Sequence, residues 1–363
     1  MANSNPIKRI YDLYTSDLSY DEIERLIKRE ASEVYDFFSS EIPKPDPSEN
    51  KFTRVLIFAR SLFNAFILKL TPGRRLFYLA SLLFFFFGYI NDYNSYIVLS
   101  FLILNLLLAF ELADKLSAKG ELEIARKIQS DLIPKDPPQI PNYETAVYYE
   151  SAREVGGDYF EVIKSTKIEN KNYIIIGDIS GKGMAAALYM VRVQAIINLL
   201  LNDHENVKDV VINLKKYFSK NLRKEYFLTL VAAGVESDGS INLCRAGHNP
   251  VLHYKKSSNE IVNLNPQGIG IGFNDKGVFE KTLEVLTVKP ESGDILFFYT
   301  DGVTETMNIH KQQFGDERLK KIIANNAGQP VETIKKQLLN ALNMFKGNEA
   351  QYDDLTMVII KAL

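Results

Sequence analysis

The chain of 363 residues has one cysteine, Cys244, and four histidines, His204, His248, His253 and His310. A single thiol excludes an internal disulfide and fits a reducing compartment. These five residues share no Cys/His ligand spacing, which argues against a structural zinc site, so any metal here has to be held by carboxylates. An excess of one charge is missing too: 43 Lys and Arg stand against 45 Asp and Glu, for a net charge of -2. Without a basic domain, nucleic acid is not an expected partner. The charged fraction of 24% fits a folded chain, and the length fits two regions better than one.

No cleavable signal is expected, because the first apolar stretch lies deep in the chain. Before it, Ser19-Tyr20-Asp21-Glu22 has capping-box spacing, and Ile23, Leu26, Ile27, Val34, Phe37 and Phe38 follow at helical intervals. Residues 1–50 are therefore expected to form a cytoplasmic helical segment ending near Ser39, with a stiff proline spacer from Ile42 to Pro47. Residues 51–110 read as a membrane region. Arg54, Arg60 and Lys69 punctuate an apolar stretch from Phe52 to Leu70, suited to a membrane surface or to packing on its neighbours. Leu76–Ile90 and Tyr96–Phe110 are apolar without a polar face, separated only by Asn91-Asp92-Tyr93-Asn94-Ser95. A transmembrane hairpin is expected, with a buried soluble hairpin as the alternative. Arg74, Arg75, Lys115 and Lys119 flank it and none lies in the loop. Both ends are then cytoplasmic, in a multi-pass protein of the inner (cytoplasmic) membrane. Asn105 is expected to face a partner helix or a dimer mate.

Residues 111–138 read as a linker helix. Leu112, Leu116, Leu122, Ala125, Ile128 and Leu132 trace an apolar stripe suited to a homodimer. Gly120 is a candidate hinge, and the prolines from Pro134 to Pro138 end the helix. From 139 to 363 the pattern turns to short β-branched runs. Strands are expected at Thr145–Tyr149, Tyr173–Ile179, Phe227–Val235, Ile241–Arg245, Val251–Tyr254, Leu283–Val288, Ile295–Tyr299 and Leu355–Ile360. Helices are expected at Ala185–Leu201, Val207–Phe218, Glu317–Asn325 and Val331–Phe345. Helices fall in pairs between groups of strands, which makes the fold class α+β, with mainly antiparallel sheets flanked by helices.

The chemistry centres on Gly177-Asp178-Ile179-Ser180-Gly181-Lys182-Gly183, which reads as strand, tight turn and helix. Three further acidic clusters also sit at strand edges: Glu154 to Phe160 with Asp158, Tyr299-Thr300-Asp301-Gly302, and Asp353-Asp354-Leu355-Thr356. Any one alone reads as a turn. Four together offer the several oxygen ligands that a hard divalent cation requires. Two such ions can activate a water and stabilise an in-line displacement at phosphorus.

Glu154–Phe160, Gly177–Gly183, Ala246–Pro250, Gly268–Gly272, Tyr299–Glu305 and Asp353–Ile359 resemble, in order, the motifs of bacterial PPM-type (PP2C-like) serine/threonine phosphatases of the SpoIIE/RsbU branch. Leu122–Pro134 resembles the helix that precedes their catalytic domain. The resemblance covers the last two thirds of the chain. It implies a PP2C-like α-β-β-α sandwich holding two Mn²⁺ or Mg²⁺ ions. Asp178 would bridge both ions, with the Ile179 carbonyl a further ligand. Asp301 and Asp353 would bind one ion, and Asp354 could exchange roles with Asp353. Asp158 would bind directly or through water, with Glu154 beside it; Asp178 and Asp158 would be the catalytic acids.

A bridging hydroxide would then attack phosphoserine or phosphothreonine in a regulatory protein, such as an anti-sigma-factor antagonist. Ser180 stands where eukaryotic relatives carry a proton-donating histidine, and His248 is expected to serve a turn. Lys182 meets phosphate or solvent. The linker helix would pass a signal to the helix after Asp178. Two rival readings remain at this level. One is a diguanylate cyclase, suggested by Gly156-Gly157-Asp158-Tyr159-Phe160, although Tyr159 departs from that signature. The other is a metal-poor pseudophosphatase that only binds a partner.

Overall fold

The computed structural model describes residues 51–363 apart from 135–136, 221–222, 224 and 274–276. The helix expected before Ser39 and the proline spacer lie outside the described residues. The chain divides into two compact units, Met1–Ser117 and Ala118–Leu363.

The described part of the first unit contains α1 (Lys51–Lys69), α2 (Pro72–Ile90) and the start of α3 (Asn94–Leu132). Pro72 opens α2, where its missing N–H leaves no bond unmade. The α2–α3 turn is tight: Asp92 sits at φ 57°, and a Cβ on Gly88 would lie 2.9 Å from the Tyr93 carbonyl oxygen. Arg74 pairs with Glu111 at 2.9 Å and with Asp114 at 2.8 Å. Between those charged ends the helices turn bulky apolar side chains outward, Leu83 being 71% and Leu108 66% exposed. Both α2 and α3 are long and apolar enough to cross a membrane. One expectation is corrected here: Gly120 makes no break, because α3 runs through it to Leu132. The Asn105 amide donates to the Phe101 carbonyl of its own helix at 2.9 Å.

The second unit is built on two five-stranded antiparallel sheets. One has the order β1 (Tyr143–Glu150), β10 (Leu355–Ala362), β9 (Ile295–Tyr299), β6 (Val251–Lys255), β7 (Glu260–Leu264). The other runs β2 (Asp158–Lys164), β3 (Asn172–Ile179), β4 (Leu228–Val235), β5 (Ile241–Ala246), β8 (Val285–Val288). Helices α4 (Met184–Asp203) and α5 (Val207–Ser219) cover the second sheet. The short helices α6 (Val278–Thr282) and α7 (Asp301–Glu305) follow, and α8 (Asp316–Asn326) and α9 (Val331–Lys346) cover the first sheet.

Strand β9 shows why the runs are continuously apolar. Leu296 and Phe298 enter the core between the sheets, while Ile295, Phe297 and Tyr299 enter the core under α8 and α9. A strand buried on both faces has no polar alternation. Helix α4 is also long and apolar enough to span a membrane, but Ala186, Met190, Val193 and Ile197 are buried against the sheet, so it is a core helix. The expected strands and long helices are present. Added to them are β2, β7, α6 and α7.

Candidate active site

Each sheet brings its acids to the same end of the sandwich. Strand β3 ends in Asp178-Ile179, and Gly181 and Gly183, at φ 96° and 79°, turn the chain into α4. Such positive φ angles suit glycine and strain other residues. Asp158 opens β2 and lies directly across from Asp178 in the antiparallel pair. On the other sheet, Asp301 follows the last residues of β9 and Asp353-Asp354 precede β10, its neighbour.

The two sheets are tied together through these acids. Asp158 is 2% exposed and one of its oxygens, Oδ2, accepts from the Thr300 hydroxyl at 2.7 Å and the Thr356 hydroxyl at 2.5 Å. Asp354 returns the tie in the opposite direction. Its Oδ1 accepts from the Ala152 N–H at 2.8 Å and its Oδ2 from the Gly157 N–H at 2.6 Å. Both oxygens of Asp354 are therefore spent on the loop that delivers Asp158. Asp353 is differently placed: its Oδ2 lies 2.8 Å from Lys182 Nζ, which also donates to the Tyr352 carbonyl at 2.7 Å.

Helix α3 holds the same loop from beneath. Buried Gln129 donates from Nε2 to the Gly156 carbonyl at 2.7 Å and accepts from the Gly156 N–H at 3.0 Å. Gln194 of α4 donates to the Leu132 carbonyl at the end of α3, at 2.8 Å.

Crowding of like charges shows in the acidities. Burial, then Asp301, Asp353 and Asp354, push the Asp178 carboxyl up to about 7. Burial and then Asp353 raise Asp301 to about 6. Burial, then Asp178 and Asp354, hold Asp158 well above the usual carboxylate range, and burial raises Asp354. Carboxylates gathered in a poorly hydrated place favour protonation unless a cation compensates them. The donor set is all oxygen, which is what Mg²⁺ and Mn²⁺ prefer. Among the described residues no three such side chains already stand at mutual metal-ligand spacing, and the ammonium of Lys182 stands against Asp353. The residues fit a hard cation by their oxygen donors and by the crowding of Asp158, Asp178 and Asp301, which Lys182 at Asp353 only partly offsets.

Of the residues singled out from sequence, Asp158, Asp178, Asp301, Asp353 and Asp354 share this end, and the Ile179 carbonyl faces Gly157 there. Glu154 is exposed and enters none of these contacts. Ser180 accepts from the Phe227 N–H at 2.8 Å, a bond that ties the turn to β4. His248 lies 2.8 Å from the Thr229 hydroxyl, and burial lowers its pKa to about 4, so at neutral pH its ring is neutral imidazole and not imidazolium. Gln129, Thr300 and Thr356 carry no assignment from sequence. The two threonines adjoin or nearly adjoin motif acids, whereas nothing in the helix pattern marks Gln129.

Residues 169–363, a little over half the chain, match the family model described as Stage II sporulation protein E (SpoIIE). The chain belongs to the SpoIIE family. It is 25% identical over 246 residues to the phosphoserine phosphatase RsbU of Bacillus subtilis, covering 67% of this chain and 70% of that one. It is 26% identical to protein IcfG of Synechocystis over 287 residues, covering 70% of this chain but 43% of that relative. In fold it is similar to the SiaA PP2C domain of Pseudomonas aeruginosa, with TM-score 0.58, 16% identity, and coverage of 69% of this chain and 98% of that domain. It is also similar to the RsbU and RsbW domains of Rv1364c from Mycobacterium tuberculosis, with TM-score 0.53, 19% identity, and coverage of 63% and 62%. The sandwich is a PP2C-like fold, and this SpoIIE-family chain is a PP2C-type serine/threonine phosphatase. Gly156–Phe160 leads into β2 of that sandwich, which excludes the cyclase reading.

Proposed function

We propose that the chain is a membrane-anchored, divalent-metal-dependent phosphatase that removes phosphate from phosphoserine or phosphothreonine of a regulatory protein. The observation that carries the metal role is the set of acids whose protonation is raised by burial and by one another at one end of both sheets. Asp178, Asp301, Asp353 and the Ile179 carbonyl would hold the cations, Mn²⁺ or Mg²⁺, with Asp158 at their edge. When bound, two such ions would lower the pKa of a water and neutralise charge on the phosphoryl oxygens. The chain's own part is positional. Thr300 and Thr356 hold Asp158, Asp354 and Gln129 hold the loop that delivers it, and Ser180 fixes the turn after Asp178.

The anchoring region would be residues 51–110, with 111–138 as linker and 139–363 as catalytic domain. Two helices of spanning length with uncovered apolar side chains support the multi-pass inner-membrane reading. Leu112, Leu116, Ile124 and Ile128 of α3 are all more than half exposed, which favours a homodimer through this helix. Gln129 and Gln194 connect the end of α3 to the Asp158 loop and to α4, a physical route for a signal.

Two assays test this. Full-length protein in detergent should release phosphate from phosphoserine peptides with Mn²⁺ or Mg²⁺ and not in chelator; release that persists in chelator overturns the metal role. Alkaline carbonate extraction of membranes should leave the chain in the pellet, and recovery in the supernatant overturns anchoring.

A further inference from the structure

Asp158, Asp178 and Thr229 occupy matched positions on three neighbouring strands, β2, β3 and β4. Directly paired residues of an antiparallel sheet turn their side chains to the same face, with strands about 4.8 Å apart. Thr229 therefore lies one strand beyond Asp178, and a cleft of about 650 Å³ begins at it. The side chains around the cleft are Phe227, Thr229, Ile269, Phe273 and Val278, and among the described residues no charged one lines it.

Phe227 and Phe273 stack with centroids 4.9 Å apart, yet Phe273 is 52% and Val278 46% exposed. Apolar surface left to water beside a reacting centre marks a place for a ligand. The rest of the wall is glycine backbone. A Cβ on Gly270 would come within 2.9 Å of the Phe273 ring, and one on Gly247 within 2.6 Å of the Gly270 nitrogen. Glycine at these two positions lets the wall pack closely on itself and on the Phe273 ring. An extended peptide advances about 3.3 Å per residue. A phosphoserine over Asp178 whose peptide runs across β4 would bring the side chain one or two residues away onto this cleft.

We propose that the cleft receives a large apolar side chain of the phosphoprotein substrate, one or two residues from the phosphoserine, and thereby selects among substrates. This rests on the phosphatase reading given above. The test uses full-length protein in detergent with Mn²⁺, p-nitrophenyl phosphate, and phosphoserine heptapeptides carrying a single leucine at each of the two positions on either side, against an all-alanine peptide. The readout is the ratio of kcat/KM for a leucine peptide to that for the alanine peptide, measured within each enzyme.

For the wild type, at least one leucine position should give a ratio of about ten or more. Phe273→Ala should bring that ratio close to one, and Phe273→Leu should keep most of it. A wild-type ratio near one at every position overturns the proposal, as does a ratio unchanged by Phe273→Ala. A change in oligomeric state in Phe273→Ala with an unchanged ratio assigns the cleft to a second copy and also overturns it. A wild type inactive on every substrate, p-nitrophenyl phosphate included, instead overturns the phosphatase reading and takes this proposal with it.

Discussion

Gln129, on the last turn of the helix that enters the catalytic domain, makes two hydrogen bonds to the backbone of Gly156, two residues before Asp158. Both groups of Gly156 are buried, so truncating Gln129 leaves a donor and an acceptor unsatisfied. Gln129→Ala should cost about 1–3 kcal/mol of stability. It should also raise the Mn²⁺ concentration for half-maximal activity several-fold. Thermal melting and a metal titration check this; an unchanged titration would mean the contact is structural only.

The adjacent acids Asp353 and Asp354 have separate tasks, one beside Lys182 and the other under the loop amides. Asp354→Asn should lower the melting temperature, because its amide cannot accept at both positions and leaves a buried N–H short of a partner. Asp353→Asn should leave the melting temperature nearly unchanged while weakening Mn²⁺ binding about tenfold or more. Equal effects of the two changes on melting and on metal binding would contradict the division.

Acidity gives a third outcome. Asp178 and Asp301 rise from an ordinary 3.8 to about 7 and about 6 in the folded chain. The folded state then binds more protons than the unfolded state between about pH 4 and 7, so stability falls as pH rises through that window. In chelator the melting temperature should drop between pH 5 and pH 8, and excess Mn²⁺ should flatten the slope. A flat profile in chelator would show that the acids do not crowd one another.

Much of this site is readable from residue order. Asp178 stands at a change from β-branched to glycine to alanine-rich sequence, and that change alone fixes strand, turn and helix. The choice between Asp353 and Asp354 is not readable, because neighbours entering a strand differ only in which way each side chain points. Strand β2 is hidden because half-buried Glu161 interrupts its apolar run, held there by Asn198. Edge strand β7 is hidden because most of its side chains meet water. Gln129 is invisible for a different reason: its partner is a backbone 27 residues away, and no pattern in α3 reports that.

Phosphate release by Asp178→Asn beside the wild type reads out whether the converging aspartates make a metal-dependent phosphatase. In full-length protein with saturating Mn²⁺ and a phosphoserine peptide, the substitution should cut the rate about a hundredfold or more. The same variant in chelator should melt no lower than the wild type, since it removes one charge from a crowded cluster. A variant that turns over like the wild type would leave Asp178 without a part in metal-dependent phosphate release.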